Sequence, residues 1–387
     1  MQTVIKAADA ADFLALVPAL AGYHPRRSLA LVLFRKKRTA GVMRLDLPAD
    51  TDLVDRDAYA STAIGLACKV PDVDGVAVVV YTDAGYRSAG DDPLITGSAI
   101  VDAVETHAHA CGLRLVDALC VASDAWGSYL DPDFPREGRP LAEISSRAAD
   151  LPLPAPAEDQ GTQLALPVVD LAEKERVARA LLAIEDYATR LLCEAAAPPP
   201  TPGRRGRPGS AASLDPRAIV AMEALDDIPQ LLEDALGMPA EDLDPFASAA
   251  LIWCLVRPAL RDVALAQWCD GIVAGDLALE AQLEWQRGGE YPEDGARRFM
   301  GEGRRPDPDR LKRARDLVRA LAARTPRDLR PGPLAALGWL SWALGQSSHA
   351  AWYSDRGLEI DPEHGMCQIV RTLVRAGHLP EWAFERP

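Results

Sequence analysis

Aromatic residues are scarce in this chain, at 6% of 387 residues, and unevenly placed: of eight Trp only Trp126 precedes residue 253. No C-x-x-C pair occurs among the seven cysteines (68, 111, 120, 193, 254, 269 and 367), which argues against a zinc ribbon or a dithiol redox motif. An odd count in apolar stretches reads instead as reduced core thiols, and so as a cytoplasmic protein. G-x-G-x-x-G after a strand and G-x-x-x-x-G-K-[ST] are both missing, which removes support for a dinucleotide or P-loop site. H-E-x-x-H is missing too, and His107 and His109, two apart on a helix, point to different faces. Neither a cofactor nor a metal is therefore expected. The chain has no charge-poor apolar run of 18 residues, and its opening lacks the basic start of a secretory signal. Basic residues are outnumbered 57 to 42, for a net charge of −15, which argues against a surface built to neutralise phosphates. Nucleic acid and membrane are thus not expected partners.

What is present is a globular composition, 48% apolar, with length enough for two domains. The first part predicts a helix over 8–21, strands at 28–34 and 42–48 joined as a hairpin, a helix over 52–69 and a buried strand over 74–83. A helix over 97–111 and a strand over 113–122 follow, with a further edge strand at 163–169. This order predicts a layered α/β domain with a mixed sheet over 1–169. A long amphipathic helix and the segment AAPPPTPGRRGRPGSAAS, with five Pro, three Gly and three Arg, make a connection over 170–213. Residues 214–387 read as a helical domain, with helices over roughly 215–226, 229–236, 244–257, 259–273, 276–286, 309–323, 332–345, 347–359 and 362–376. Asp215-Pro216, Asp244-Pro245 and Asp361-Pro362 each place a capping acceptor before a Pro at the first helical position. Leu334, Leu337, Gly338, Ala350, Gly357 and Pro362 match one register of the tetratricopeptide repeat, with no second repeat in phase, so a generic helical hairpin stands beside a true repeat.

Three strings offer candidate chemistry. In GYHPRRSLALVLF, His24, Arg27 and Ser28 stand at the amino end of a buried strand, as a base and nucleophile or an anion site; alternatively Pro25 fixes the turn, His24 caps the helix and Ser28 bonds loop backbone. In SDAWGSYLDPDFPREG, Trp126, Ser128 and Tyr129 either line a pocket at a strand end or cover the sheet edge. Arg261 and Asp262 open a helix, where Arg261 is either anchored by an acid of the same bundle or faces a groove. The acidic pairs Asp91-Asp92 and Asp131/Asp133 read as solvated turns, and the basic run over 304–319 as a solvated helix face with internal salt bridges. No catalytic residue is assigned.

The strings DFLALVPALAGYHPRRSLALV with RLDLP (12–48), GSYL with its following EG (127–138), LRDVALA (260–266) and LGWLSWALG…DP (337–362) resemble the actinobacterial domain of unknown function 4192 family. Members of that family often carry cysteines after the GSYL equivalent; here DPDFPREG has none. The resemblance implies no reaction or substrate. It implies a bacterial cytoplasmic protein and marks His24, Ser28, Trp126, Ser128, Tyr129, Arg261 and Asp262 as family-type positions. The expectation is a non-enzymatic binding or scaffold protein whose helical domain meets a protein partner or a second copy. The alternative is an enzyme or small-ligand sensor with a pocket around His24, Ser28 and Trp126.

Overall fold

The computed structural model describes residues 6–48, 56–87, 94–149, 151–152, 156, 164–196 and 215–385. The Asp91-Asp92 pair and nearly all of the Pro/Gly/Arg-rich connection lie outside them. The chain forms two compact units, Met1–Ala165 with Phe384–Pro387, and Leu166–Ala383.

The first unit is the layered α/β fold expected. Helix α1 (Ala10–Ala21) begins where the Asp9 carboxylate accepts from the Asp12 N–H. It ends at Gly22, which adopts φ +84° and donates its N–H to the Pro18 carbonyl. Gly22, not His24, therefore caps this helix; a left-handed residue is cheapest as Gly. Strands β1 (Ser28–Arg35) and β2 (Arg38–Asp46) form the hairpin, followed by α2 (Arg56–Cys68), β3 (Gly75–Tyr81), α3 (Ser98–Ala110), β4 (Arg114–Val121), β5 (Trp126–Ser128) and α4 (Ala142–Ala149). The sheet order is β2-β1-β3-β4-β5. Only β3 and β4 are parallel, because the α3 crossover separates them, whereas short connections make β1–β2 and β4–β5 antiparallel.

Both faces of the sheet are covered, which explains the unbroken apolar runs of β1 and β3. Leu29, Leu31 and Leu33 pack with Val76, Val78 and Val80 against α2 and α3. Ala30, Val32, Ala77, Val79 and Tyr81 pack against Ala11, Leu14 and Val17 of α1. The edge strand expected at 163–169 does not form: residues 164–169 carry no strand, and Val168 is fully exposed.

The second unit is all helix: α5 (Leu171–Ala196), α6 (Pro216–Ala224), α7 (Ile228–Gly237), α8 (Pro245–Leu255), α9 (Pro258–Asp270), α10 (Ile272–Gln286), α11 (Glu293–Phe299), α12 (Pro308–Arg324), α13 (Pro331–Ala343), α14 (Ser347–Leu358) and α15 (Gly365–Arg375). Asp215 and Asp244 cap α6 and α8 as expected, and Asp307 does the same for α12. Asp361-Pro362 departs from the pattern. Helix α15 starts three residues later, with His364 Nδ1 accepting from the Cys367 N–H, while Asp361 accepts from Glu363. Every residue of α13 is buried, so it is a central helix of this unit. It packs closely through glycine: a Cβ on Gly338 would lie 2.7 Å from Ser354 Oγ of α14, and one on Gly332 2.7 Å from the Leu255 carbonyl. The basic run on α12 is internally paired, Arg310 with Glu233, Lys312 with Asp309 and Arg315 with Asp316.

Candidate functional site

At one end of the sheet a row of cross-strand partners runs Ser28–Tyr81–Val121–Trp126. Three strand spacings separate its ends, about 14 Å. Ser28 and Trp126 thus face the same side of the sheet without meeting. Ser28 is buried; its hydroxyl donates to the Arg26 carbonyl at 2.6 Å and accepts from Arg44 Nε at 2.6 Å. With its proton committed to backbone, Ser28 is held as a structural hydroxyl, as its loop-bonding alternative anticipated. Arg44 also pairs with Asp46, whose carbonyl accepts from Tyr59 Oη at 3.2 Å. Burial, reinforced by Asp46, pushes the Tyr59 phenol well up. His24 and Arg27 are exposed; Arg27 takes φ +46° and its carbonyl accepts from the Leu47 N–H, stitching the loop to the end of β2.

The GSYL string has a structural account residue by residue. Trp126 is buried on the α1 face, edge-on to Phe134 at 5.2 Å, with the Arg139 guanidinium 5.7 Å over its ring. Gly127 leaves room for Tyr86: a Cβ there would stand 2.0 Å from the Tyr86 hydroxyl. Ser128 Oγ accepts from the N–H groups of Leu130 and Asp131, each at 3.2 Å, fixing the following turn. Tyr129 lies with the α2/α3 face and donates to the Thr96 carbonyl, as the Cys120 thiol does at 3.8 Å. Burial pushes Cys120 up to about 11 and raises Tyr129 as well, so both stay protonated at neutral pH. Trp126 and Tyr129 therefore serve opposite faces of the sheet.

Arg261 and Asp262 lie in the helical unit at the start of α9. The Arg261 side chain is buried, and its Nε and Nη2 both donate to Asp262 Oδ1, at 3.1 and 2.9 Å. Burial raises the Asp262 carboxyl against the opposing pull of Arg261. His364 is lowered by burial and then by Arg261. Arg261 is thus anchored by an acid of its own helix and turned toward the start of α15. Asp262 is near Tyr291, whose phenol is raised first by burial and then by this carboxylate, with Gln282 acting in the opposite sense.

Tyr291 leads to a feature that the sequence reading missed. A cavity of about 990 Å³ opens between α9 and α10 on one side and residues 290–304, including α11, on the other. Its floor is apolar: Ala266, Ala274, Leu277, Ala278, Ala281 and Phe299. Acids stand around it, Asp270, Glu280, Glu284, Glu290, Asp294 and Glu302, with Arg297, Arg298 and Arg304. Arg297 pairs with Glu302 at 2.6 Å, and Arg298 bridges Asp270 of α9 and the Arg304 carbonyl. The outer wall is fastened to the unit's core. Trp339 Nε1 donates to the Phe299 carbonyl at 3.1 Å, the two rings meet edge to face at 5.6 Å, and Gly301 takes φ +88° against Trp342 and Pro380. The available signal was α10 itself. It carries apolar residues beyond one stripe, leaving Val273, Leu277 and Trp285 exposed, more than packing on α9 requires.

Among the described residues no group of His, Cys, Asp and Glu is arranged to hold a metal ion, and no helix is long and apolar enough to cross a membrane. No curated protein and no solved structure matches the chain. One family does, over residues 11–283 and 305–381, and the interruption at 284–304 coincides with the outer wall of the cavity. With nearly the whole chain matched, the protein belongs to the family described as domain of unknown function DUF4192.

Proposed function

We propose that this protein is a non-enzymatic binding protein of the bacterial cytoplasm, whose helical unit receives a segment of a protein partner in the cavity between α10 and α11. The observation carrying this reading is the apolar floor of that cavity, large enough for several side chains and left open by the fold. The α13–α14 hairpin supports it as a tetratricopeptide-like element. Gly338 meets Ser354 and Ala350, and Gly357 meets Leu334 and Cys367, the close approaches that the six-residue register requires. All seven cysteines are free, in keeping with a reducing compartment. The test is affinity capture from the source cell with the full chain and with Leu277→Asp, a change at a 62% exposed position that leaves the core untouched. A discrete protein retained by the parent and lost with Leu277→Asp, at unchanged circular dichroism, is the expected result. Identical retention by both forms would overturn the proposal.

A further inference from the structure

We infer that the segment seated in this groove is a basic amphipathic helix. The inference rests on the reading that the groove takes a protein segment, and three observations give that segment its chemistry. The first is relief. Ala274, Ala278 and Ala281 recur at i, i+4 and i+7 along α10 beside Leu277, a low apolar ridge that an opposing helix can approach at the 8–10 Å typical of close helix packing. The second is backbone satisfaction. Both α10 and α11 are helices, so past their first turns the amides are engaged within the helix, and neither offers a sheet edge. An extended peptide would lay unpaired N–H and C=O groups on an apolar floor, whereas a helix closes its own.

The third observation is charge. The whole chain is acidic, so acids alone would say little; these border an apolar floor. The lining acids number six against three arginines, a local excess of three. Asp270 and Glu302 are engaged with Arg298 and Arg297, and Asp294 also lies in the field of Arg297, whereas Glu280, Glu284 and Glu290 make no ion pair among the described residues. Glu280 and Glu284 stand one turn apart on α10, a like-charge pair that costs the isolated helix a little. Lys or Arg at i, i+4 on an incoming helix would relieve it with matching pitch.

The experiment is a fluorescence anisotropy titration of the full chain with three synthetic helices of about 18 residues, long enough to hold helical structure. They share one Leu/Ala face and carry Lys, Gln or Glu opposite. The Lys helix is expected to bind at least about tenfold more tightly than the Gln helix, a gap that narrows as salt rises, with no binding of the Glu helix. Glu280→Lys with Glu284→Lys should invert that order, and Leu277→Asp should weaken all binding. Equal, salt-independent binding of the Lys and Gln helices overturns the charge assignment while leaving the groove reading intact. Lys-helix binding indifferent to both sets of substitutions places it elsewhere and overturns the inference. So does failure of all three helices, in which case the Leu277→Asp capture decides the groove reading separately. A dimer in sedimentation that Leu277→Asp converts to monomer would make a second copy the occupant and likewise overturn it.

Discussion

Gly127 shows how a residue can look functional and be structural. It sits in a string with Trp, Ser and Tyr at a strand end, where α/β folds often bind ligands, yet each side chain there is spent on the fold. Gly127→Ala would drive a methyl into the Tyr86 hydroxyl, 2.0 Å from the ideal Cβ position. A loss of about 3 kcal/mol is expected from such overpacking, measured by denaturant unfolding, with partial recovery in the Gly127→Ala/Tyr86→Phe double variant. No recovery would mean that the ring carbons, 2.5 and 2.7 Å from the same position, and not the hydroxyl, set the requirement. Trp126 and Tyr129 were legible as a pair that mattered. Their placement on opposite faces was not, because a three-residue strand after a tight turn gives no periodicity from which to read parity. His24 was read as the helix cap, although Gly22 two residues earlier carried the stronger chemical signal.

At the scale of elements the sequence was most readable where apolar period and caps agreed. Strands β1, β3 and β4 and helices α6, α8, α12 and α13 lie within a few residues of the sequence reading for this reason. Helices α4 and α11 escaped because they are short and bury no residue. The α13–α14 contact yields a double-variant test. Ser354 Oγ is buried with no partner and stands 2.7 Å from where a Gly338 Cβ would be. Gly338→Ala alone should cost about 2 kcal/mol, Ser354→Ala alone should cost little, and the pair together should cost clearly less than Gly338→Ala. Strict additivity would show that the hydroxyl is not the obstacle.

The ends of α2 and α3 make a second elemental prediction. Cys68 closes α2 and Cys111 caps α3; both are exposed, and the Cys68 thiol is raised first by burial and then by the neighbouring Cys111 thiol. Treatment with diamide, which takes two electrons and two protons from a thiol pair, should yield an intramolecular 68–111 disulfide. Peptide mapping would find it, and separate modification of each cysteine would count against the contact.

For the whole molecule, the chain divides into two compact units, and two acids of the helical unit respond to pH with opposite sign. The hydrogen bond from Arg310, at 2.7 Å, lowers the Glu233 carboxyl from its ordinary 4.5. The folded state thus prefers the ionised form, and the stabilisation is complete above pH 4.5 and lost as pH falls through the lower folded value. Asp262 acts with opposite sign: burial raises it, so protonation on acidification favours the fold. Calorimetry from about pH 6 to 3 should show the helical unit's transition falling less steeply in Glu233→Gln and more steeply in Asp262→Asn than in the parent. Gly127→Ala should lower the α/β transition alone. If every substitution moved one common transition, the units would unfold as a single cooperative block.

The outer wall of the cavity is moored through its main chain. Trp339 grips the Phe299 carbonyl and the Glu381 amide reaches the Gly301 carbonyl. Atoms common to every amino acid do much of the holding, so the side chains turned toward the cavity are free to change without unmooring the wall. If the groove takes a partner segment as proposed, a surface built this way can exchange one partner for another by point substitution within 290–304, the stretch where the chain steps outside its family's shared pattern.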